Sequence, residues 1–572
     1  MTNTRTTVMD TLKTTLMEQA PTRNGHFFVT TCVSDRRATV WQTQGETVEK
    51  AWVKIERYLK KFLVFPKWLK IEWIDETKRV TSEEGQQLFF QVERNNYFRY
   101  GIQFKRKKAY TFLPEEIVGN ALLSPHPDHE IRKQDARLRL NEKNLKGYIK
   151  RRNKQGIEAP LSFFDSHWTF FTKKGVFVEN QRIYPLETEK YGQGIRVISE
   201  ENQKEMLDSG IARGAAYLID QIEDSGKFIY GYYPAYGRVL TSYNSVRHYS
   251  SLYALLEAYE YLENQGNASL EFLERIEKGI QWGLEHLTLE KDGHYYVTEQ
   301  TKEGVELKLG AQAMVLLALT KYQTVTDNED ILPIIEKFLL GMTSFIAEDG
   351  STTHVLDAEL NTKEAFRIIY YDGEALFAIM RSYPLIQEDR WLELAERLMD
   401  RFIAKNYEKY HDHWLSYSVN ELTRYLPKKD YFAFGVRNAL GNLNFIKNRD
   451  TAYPTMLELV VAAVKMFDRI QSSVLADELV TTEESDTLKA VMEHRALHEL
   501  RTGTMWPELA MFFAKPETIA GGFYCRHDRC RMRIDDAEHF LSGLINYRNL
   551  LDEPTAAKEG SEPNGAFLST HS

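Results

Sequence analysis

Six stretches between residues 243 and 539 set ionisable and aromatic residues directly ahead of apolar helical runs. They are Tyr243–Asn244–Ser245–Val246–Arg247–His248, Lys308–Leu309–Gly310–Ala311–Gln312, Tyr370–Tyr371–Asp372–Gly373–Glu374, His411–Asp412–His413–Trp414, Tyr453–Pro454–Thr455 with Glu458, and Arg533–Ile534–Asp535–Asp536 with His539. Glu374, Asp412, His248, His413, Asp536 and His539 are residue types that move protons, and form the candidate catalytic set. Two carboxyls about 6.5–9.5 Å apart serve an inverting glycosidase. Imidazoles, which titrate near neutral pH, serve the base and acid that an epimerase or lyase needs on opposite faces of an acidic C–H. Arg247 and Arg533 have the forked donors that clamp a carboxylate. Tyr233, Tyr236, Tyr371 and Trp414 offer rings to a sugar, and Glu458 a further substrate-binding carboxyl.

Each residue also has a plainer reading. Asp372 and Asp412 stand where an N-cap acid belongs. Asp535 and Glu538 have capping-box spacing, which reads as structural. Glu374 complements a helix dipole, and His413 beside Trp414 can pack in a wall. Arg247 and His248 resist this treatment, because a helix N-terminus disfavours cations. A functional or ion-paired role suits them better. Cys525, His527 and Cys530 fall within six residues of one another beside Gly521–Gly522, and all are zinc-ligand types. Their neighbours Arg526, Arg529 and Arg531 oppose cation binding, so zinc stands as the alternative and the main reading implies no cofactor.

The elements that must position these groups are helices. Twelve are predicted, near 200–223, 245–263, 268–288, 310–324, 329–346, 372–384, 387–407, 412–425, 429–447, 454–471, 481–501 and 535–551. They pair into six hairpins. One hairpin cannot bury its own face, so the repeat calls for a stacked or closed array, and six suit closure into an (α/α)6 toroid. The even-numbered helices are apolar on nearly all sides, as in Ala311–Leu319 and Leu457–Val464, which assigns them to the inner ring. The odd-numbered ones are amphipathic, as in Trp391–Leu398, and form the outer ring. In such a ring all inner helices start on one rim, where the six stretches converge.

Residues 196–552 resemble the six-hairpin (α/α)6 toroid superfamily, on the six-pair count and on segments such as Asp372–Gly373–Glu374–Ala375–Leu376 and Gly521–Gly522–Phe523–Tyr524. The resemblance implies a carbohydrate-active enzyme of glycoside hydrolase, lyase or epimerase type. Its substrate would be a saccharide or another small anion held in the toroid funnel. Two other readings stand beside it. One is a non-catalytic scaffold that binds a glycan or peptide. The other is a zinc-dependent toroid like the lanthionine cyclases, with Cys525, His527 and Cys530 at its metal.

The preceding segments differ. Residues 1–124 read as a small α+β domain in the order helix, strand, strand, helix, strand, strand, helix, with a surface for a protein partner. Residues 125–195 read as a charged and aromatic connector, and 553–572 as a disordered tail. The 572 residues carry a net charge of −9, which argues against sequence-independent nucleic-acid binding. No run reaches the roughly 18 apolar residues that span a bilayer. Met1–Ala20 reads as polar helix rather than secretory signal. Three cysteines, Cys32, Cys525 and Cys530, fit a reducing cytoplasm.

Overall fold

The computed structural model describes residues 2–105, 109–127, 137–153, 167–187 and 194–552. The tail expected at 553–572 lies outside the described residues, as does much of the expected connector.

Twelve helices build the ring: α3 (Gln203–Ile219), α4 (Ser245–Asn264), α5 (Leu270–His286), α6 (Leu309–Thr326), α7 (Leu332–Thr343), α8 (Tyr370–Ile386), α9 (Asp389–Ala404), α10 (His413–Leu422), α11 (Lys429–Leu440), α12 (Pro454–Gln471), α13 (Thr482–Thr502) and α14 (Ile534–Leu550). Two helices that precede them, α1 (Thr2–Gln19) and α2 (Val48–Leu59), belong to a sheet region described below. In the ring, α4 packs on α6, α6 on α8, α8 on α10, α10 on α12, α12 on α14, and α14 back on α4. That closes an inner ring of the even-numbered predicted helices. The outer helices α3, α5, α7, α9, α11 and α13 each pack on one or two of these. The molecule is therefore an (α/α)6 toroid with an attached sheet.

Sequence explains the layering. Every residue from Leu309 to Tyr322 of α6 is buried, as befits a helix apolar on all faces. Outer helix α9 buries Trp391, Leu394, Ala395, Leu398, Met399 and Phe402 and exposes the rest to varying degrees. This is the 3–4 spacing of one helical stripe. Caps fix the starts at the rim. The Asn244 side chain accepts from the Arg247 amide at 3.2 Å, and the Asp412 carboxylate from the Leu415 amide at 3.2 Å. Each satisfies an amide that has no partner within its helix.

The sheet is antiparallel. Its strands are β1 (Arg23–Cys32), β2 (Thr39–Thr47), β3 (Trp68–Val80), β4 (Gly101–Lys105), β5 (Ala109–Phe112), β6 (His167–Glu179), β7 (Arg182–Glu187) and β8 (Ile195–Arg196). Their order is β8–β7–β6–β3–β1–β2, with β4 joining β6 and β5 joining β4. The segment expected as connector thus supplies β6 and β7, and β6 lies at the centre of the sheet. Its β6–β7 hairpin turns at Asn180 and Gln181, both with positive φ. Period-2 alternation splits the faces. Phe27, Val29, Leu69, Ile71, Val176 and Val178 pack under α1 and α2. Phe28, Trp68 and Phe177 face Met511 and Phe512 of the toroid. Among the described residues no helix is long and apolar enough to cross a membrane.

Candidate active site

The inner-helix starts meet as expected at one rim, and the side chains there form an interlocked charged cluster. Arg247 at the start of α4 reaches across to α14, with Nε 3.2 Å from Oδ2 of Asp535. Arg533 pairs with Asp535 at 3.1 Å and with Asp536 at 3.1 Å. Asp536 Oδ2 also accepts from the Arg533 amide at 3.2 Å, so Asp536 is the acid that caps α14. The capping box read from Asp535 and Glu538 is not formed. Although burial opposes it, Arg247 and Arg533 hold the Asp535 carboxyl below its ordinary range. The cation at a helix start, which the sequence flagged as anomalous, is explained by this pair.

The second half of the cluster is imidazole and carboxyl. His539 lies one turn into α14. Its Nδ1 is 2.9 Å from Oε2 of Glu458 and 3.3 Å from Oε1 of Glu538. That leaves Nε2 for the cavity that His539 lines. His413 stands behind it, its ring 5.3 Å from that of His539. Its Nδ1 lies 3.1 Å from Oδ2 of Asp412, a carboxylate that can only accept, so Nδ1 carries the proton. Nε2 is buried without a hydrogen-bond partner, 3.9 Å from Oε2 of Glu458. Burial pushes the Glu458 carboxyl up to about 8, against the pull of His413, and likewise Glu538 to about 8, against His539. Tyr370 and Trp414 wall in His413, with ring centroids at 5.3 and 5.0 Å.

Glu374, the fifth residue of α8, is buried with Oε2 unpartnered. Burial pushes its pKa to about 8; Arg247 opposes this, and Asp412 and Asp372 add to it. Asp372 is a brace. It accepts from Thr352 Oγ1 at 2.6 Å and from His354 Nε2 at 3.0 Å. His354 Nδ1 accepts from the Arg367 amide at 2.9 Å, which fixes the tautomer. Tyr371 packs 5.4 Å from the His354 ring.

The cavity at this rim holds about 200 Å³. Arg247, Tyr370, Tyr453, Cys525, His527, Arg531, Arg533, Asp535, Asp536 and His539 line it. Five expectations need correction. Glu374, Asp412, His413, Glu458 and Tyr371 belong to the surrounding cluster but are not among the residues that line the cavity. His248 turns away from the cavity. It is fully buried, with Nδ1 2.9 Å from the Tyr243 hydroxyl and Nε2 3.0 Å from the Gly279 carbonyl. Burial drops its pKa to about 3, so it is a neutral packing residue. Tyr233 and Tyr236 do not line the cavity. Tyr233 accepts from Arg529 at 2.6 Å, and Tyr236 is 54% exposed. Trp414 is buried behind His413 rather than presented to a sugar. Cys525, His527 and Cys530 do not converge on a metal. Cys525 and His527 face the cavity, but Cys530 is buried and its Sγ takes a hydrogen bond from Asn96.

Among the described residues, one group brings three ligand-type atoms within 4.8 Å of one another: His413, Glu458 and His539. As they stand, Glu458 and His539 are joined by a hydrogen bond, and a metal ion would have to replace it. Sequence reading left Glu538 and His354 out of the cluster, and placed Tyr370 and Asp535 at the rim without a site role. The one signal for Asp535 was the unpaired cation at the start of α4.

No known family profile matches the chain, and no curated protein sequence matches it. Solved structures do show a similar path. D-mannose isomerase aligns with 62% of this chain and 100% of its own at 12% identity, TM-score 0.48. Cellobiose 2-epimerase from Bacillus thermoamylovorans aligns with 61% and 100% at 12% identity, TM-score 0.46. An α-1,6-mannanase of Salegentibacter aligns with 60% and 100% at 9% identity, TM-score 0.42. The ring itself rests on the helix pairing described above.

Proposed function

We propose that the rim cavity is the active site of an enzyme that moves a proton at a carbon of a sugar or sugar acid, in the manner of an epimerase or isomerase. The observation that carries this is which groups face the cavity. Its two carboxylates, Asp535 and Asp536, are both engaged by arginine. That engagement suits them to bind and orient a substrate more than to act as the free acid–base pair of glycoside hydrolysis. His539 does face the cavity, with one nitrogen anchored by Glu458 and the other open. An imidazole oriented by a carboxyl is suited to take a proton from an acidic C–H. Arg247 and Arg533 stand beside it, where guanidinium groups stabilise an enolate-like oxygen or a substrate carboxylate. A cavity of about 200 Å³ suits one sugar ring rather than a chain.

The test is solvent exchange. Aldoses, ketoses and uronic acids are incubated with the full chain in deuterium oxide and followed by proton NMR. Deuterium should enter at the carbon beside the carbonyl of one class. His539→Asn should abolish this and Glu458→Gln should slow it. Hydrolysis of a glycoside without any exchange would overturn the proposal.

A further inference from the structure

One wall of the cavity is not helical. Residues 520–533, between α13 and α14, contribute Cys525, His527, Arg531 and Arg533 to it. Within this loop Arg529 and Cys530 have φ of 57° and 53°. Left-handed backbone at such residues costs free energy and persists where surrounding contacts over-determine it.

Those contacts come from the far end of the chain. Asn96 follows the helix Ser82–Gln91, on the path from β3 to β4. It also has a left-handed backbone, φ 66°, which asparagine tolerates. Its side-chain amide Nδ2 donates to the Arg526 carbonyl at 2.9 Å and to Cys530 Sγ at 3.3 Å. Arg526 answers with Nε donating to the Asn96 carbonyl at 3.0 Å and lays its guanidinium over the Tyr97 ring at 4.3 Å. Asn96, Arg526 and Cys530 are all buried. Two residues earlier, Arg94 pairs with Asp450 at 3.8 Å. Asp450 adjoins Ala452 and Tyr453, which line the cavity from another side.

We infer that the sheet region completes the active site: the Asn96–Tyr97 turn clamps the 525–531 loop and sets its cavity-facing side chains. Asn96 is a positioning residue, since it touches the loop and not the cavity. This assigns a role to the N-terminal segment that needs no protein partner. Only its catalytic consequence rests on the function proposed above.

The test reads the loop directly. The full chain is treated with iodoacetamide under native conditions, and each cysteine is followed by mass spectrometry. Burial pushes the Cys525 thiol up to about 12, so labelling in the wild type is slow. Asn96→Ala removes two buried hydrogen bonds, so labelling of Cys525 and Cys530 should rise about tenfold or more. Cys32, buried in β1, serves as the internal clock and should not change. Arg526→Gln breaks the clamp from the other side and should give the same pattern, which covers the case that Asn96→Ala does not fold. Unchanged Cys525 labelling in both variants, or a parallel rise at Cys32, would overturn the inference. Once a substrate is known, Asn96→Ala should raise KM far more than it lowers kcat. Failure of the proton-transfer reading would leave the labelling result standing.

Discussion

Glu374 and Arg247 show how much of the site was written in single residues. Arg247 was singled out because a cation does not suit a helix start, and Glu374 as a proton-moving residue type even though it also fits the helix dipole; both lie in the cluster. Their partners were harder to see. Asp535 looked like a cap, because two acids in succession at a helix start are ambiguous until the geometry shows which one accepts the backbone amide. His248 looked equal to His413 and His539, because sequence does not reveal on which side of a helix a histidine finds its carbonyl. Glu374 carries a testable consequence. A glutamate in an unfolded chain titrates near 4.3, whereas burial raises this one to about 8. Between those values the native state holds a proton that the unfolded state has lost. Stability contributed by this group is therefore full at low pH and is lost as pH rises toward 8. Glu374→Gln has no such titration. Its melting temperature relative to wild type should climb by a few degrees between pH 5 and pH 8.5. A difference that stays constant across this range would show that Glu374 titrates normally.

At the scale of elements the helices were legible and the irregular segments were not. All twelve ring helices fall close to their predicted ranges, because long 3.6-residue periodicity and caps such as Asn244 and Asp412 leave little choice. The small sheet β-paired from Thr288–Lys291 through Thr362–Glu364 went unseen. Four of its five strands have five residues or fewer, too short for a period-2 pattern to stand out. In the 520–533 loop, Cys525, His527 and Cys530 stood as an alternative metal motif, because cysteine and histidine spacing carries no information about direction. The inner helices approach closely at Gly373. A Cβ placed there would lie 2.7 Å from the Leu415 backbone nitrogen and 2.7 Å from Trp414. Since the obstacle on α10 includes backbone, α8 and α10 would have to part. Gly373→Ala should destabilise the fold by about 1–3 kcal/mol, read as a lower midpoint in urea. It should also loosen Tyr370 and Trp414 around His413, visible as a change in tryptophan fluorescence of the folded protein. An unchanged midpoint would mean that the two helices are not held at this distance.

The whole molecule departs most from the sequence reading at the junction of its two parts. A change from strand pattern to helix pattern near residue 195 suggests a separable domain. The buried charges between the parts tie them together instead. Arg196 of β8 is nearly inaccessible. Its backbone and side chain give three hydrogen bonds of 2.8–2.9 Å to Glu508 of the toroid, and it also pairs with Glu179 of β6 at 3.1 Å. Glu179 in turn pairs with Arg213 of α3 at 2.8 Å. Nearby, Lys70 and Lys173 share the Glu115 carboxylate at 2.6 and 2.5 Å, all buried. Lys70 also reaches the Glu508 carbonyl at 3.4 Å. Such pairs add little net stability when complete, but removing one member strands a charge in a low dielectric. Glu508→Gln should therefore cost about 3–5 kcal/mol. Because Arg196 belongs to the sheet and Glu508 to the toroid, that loss should fall on both at once. Calorimetry of the full chain should show one unfolding transition, shifted down as a unit in the variant and still single. Two resolved transitions in the wild type, or a shift confined to one of them, would show that the junction does not couple the sheet to the ring.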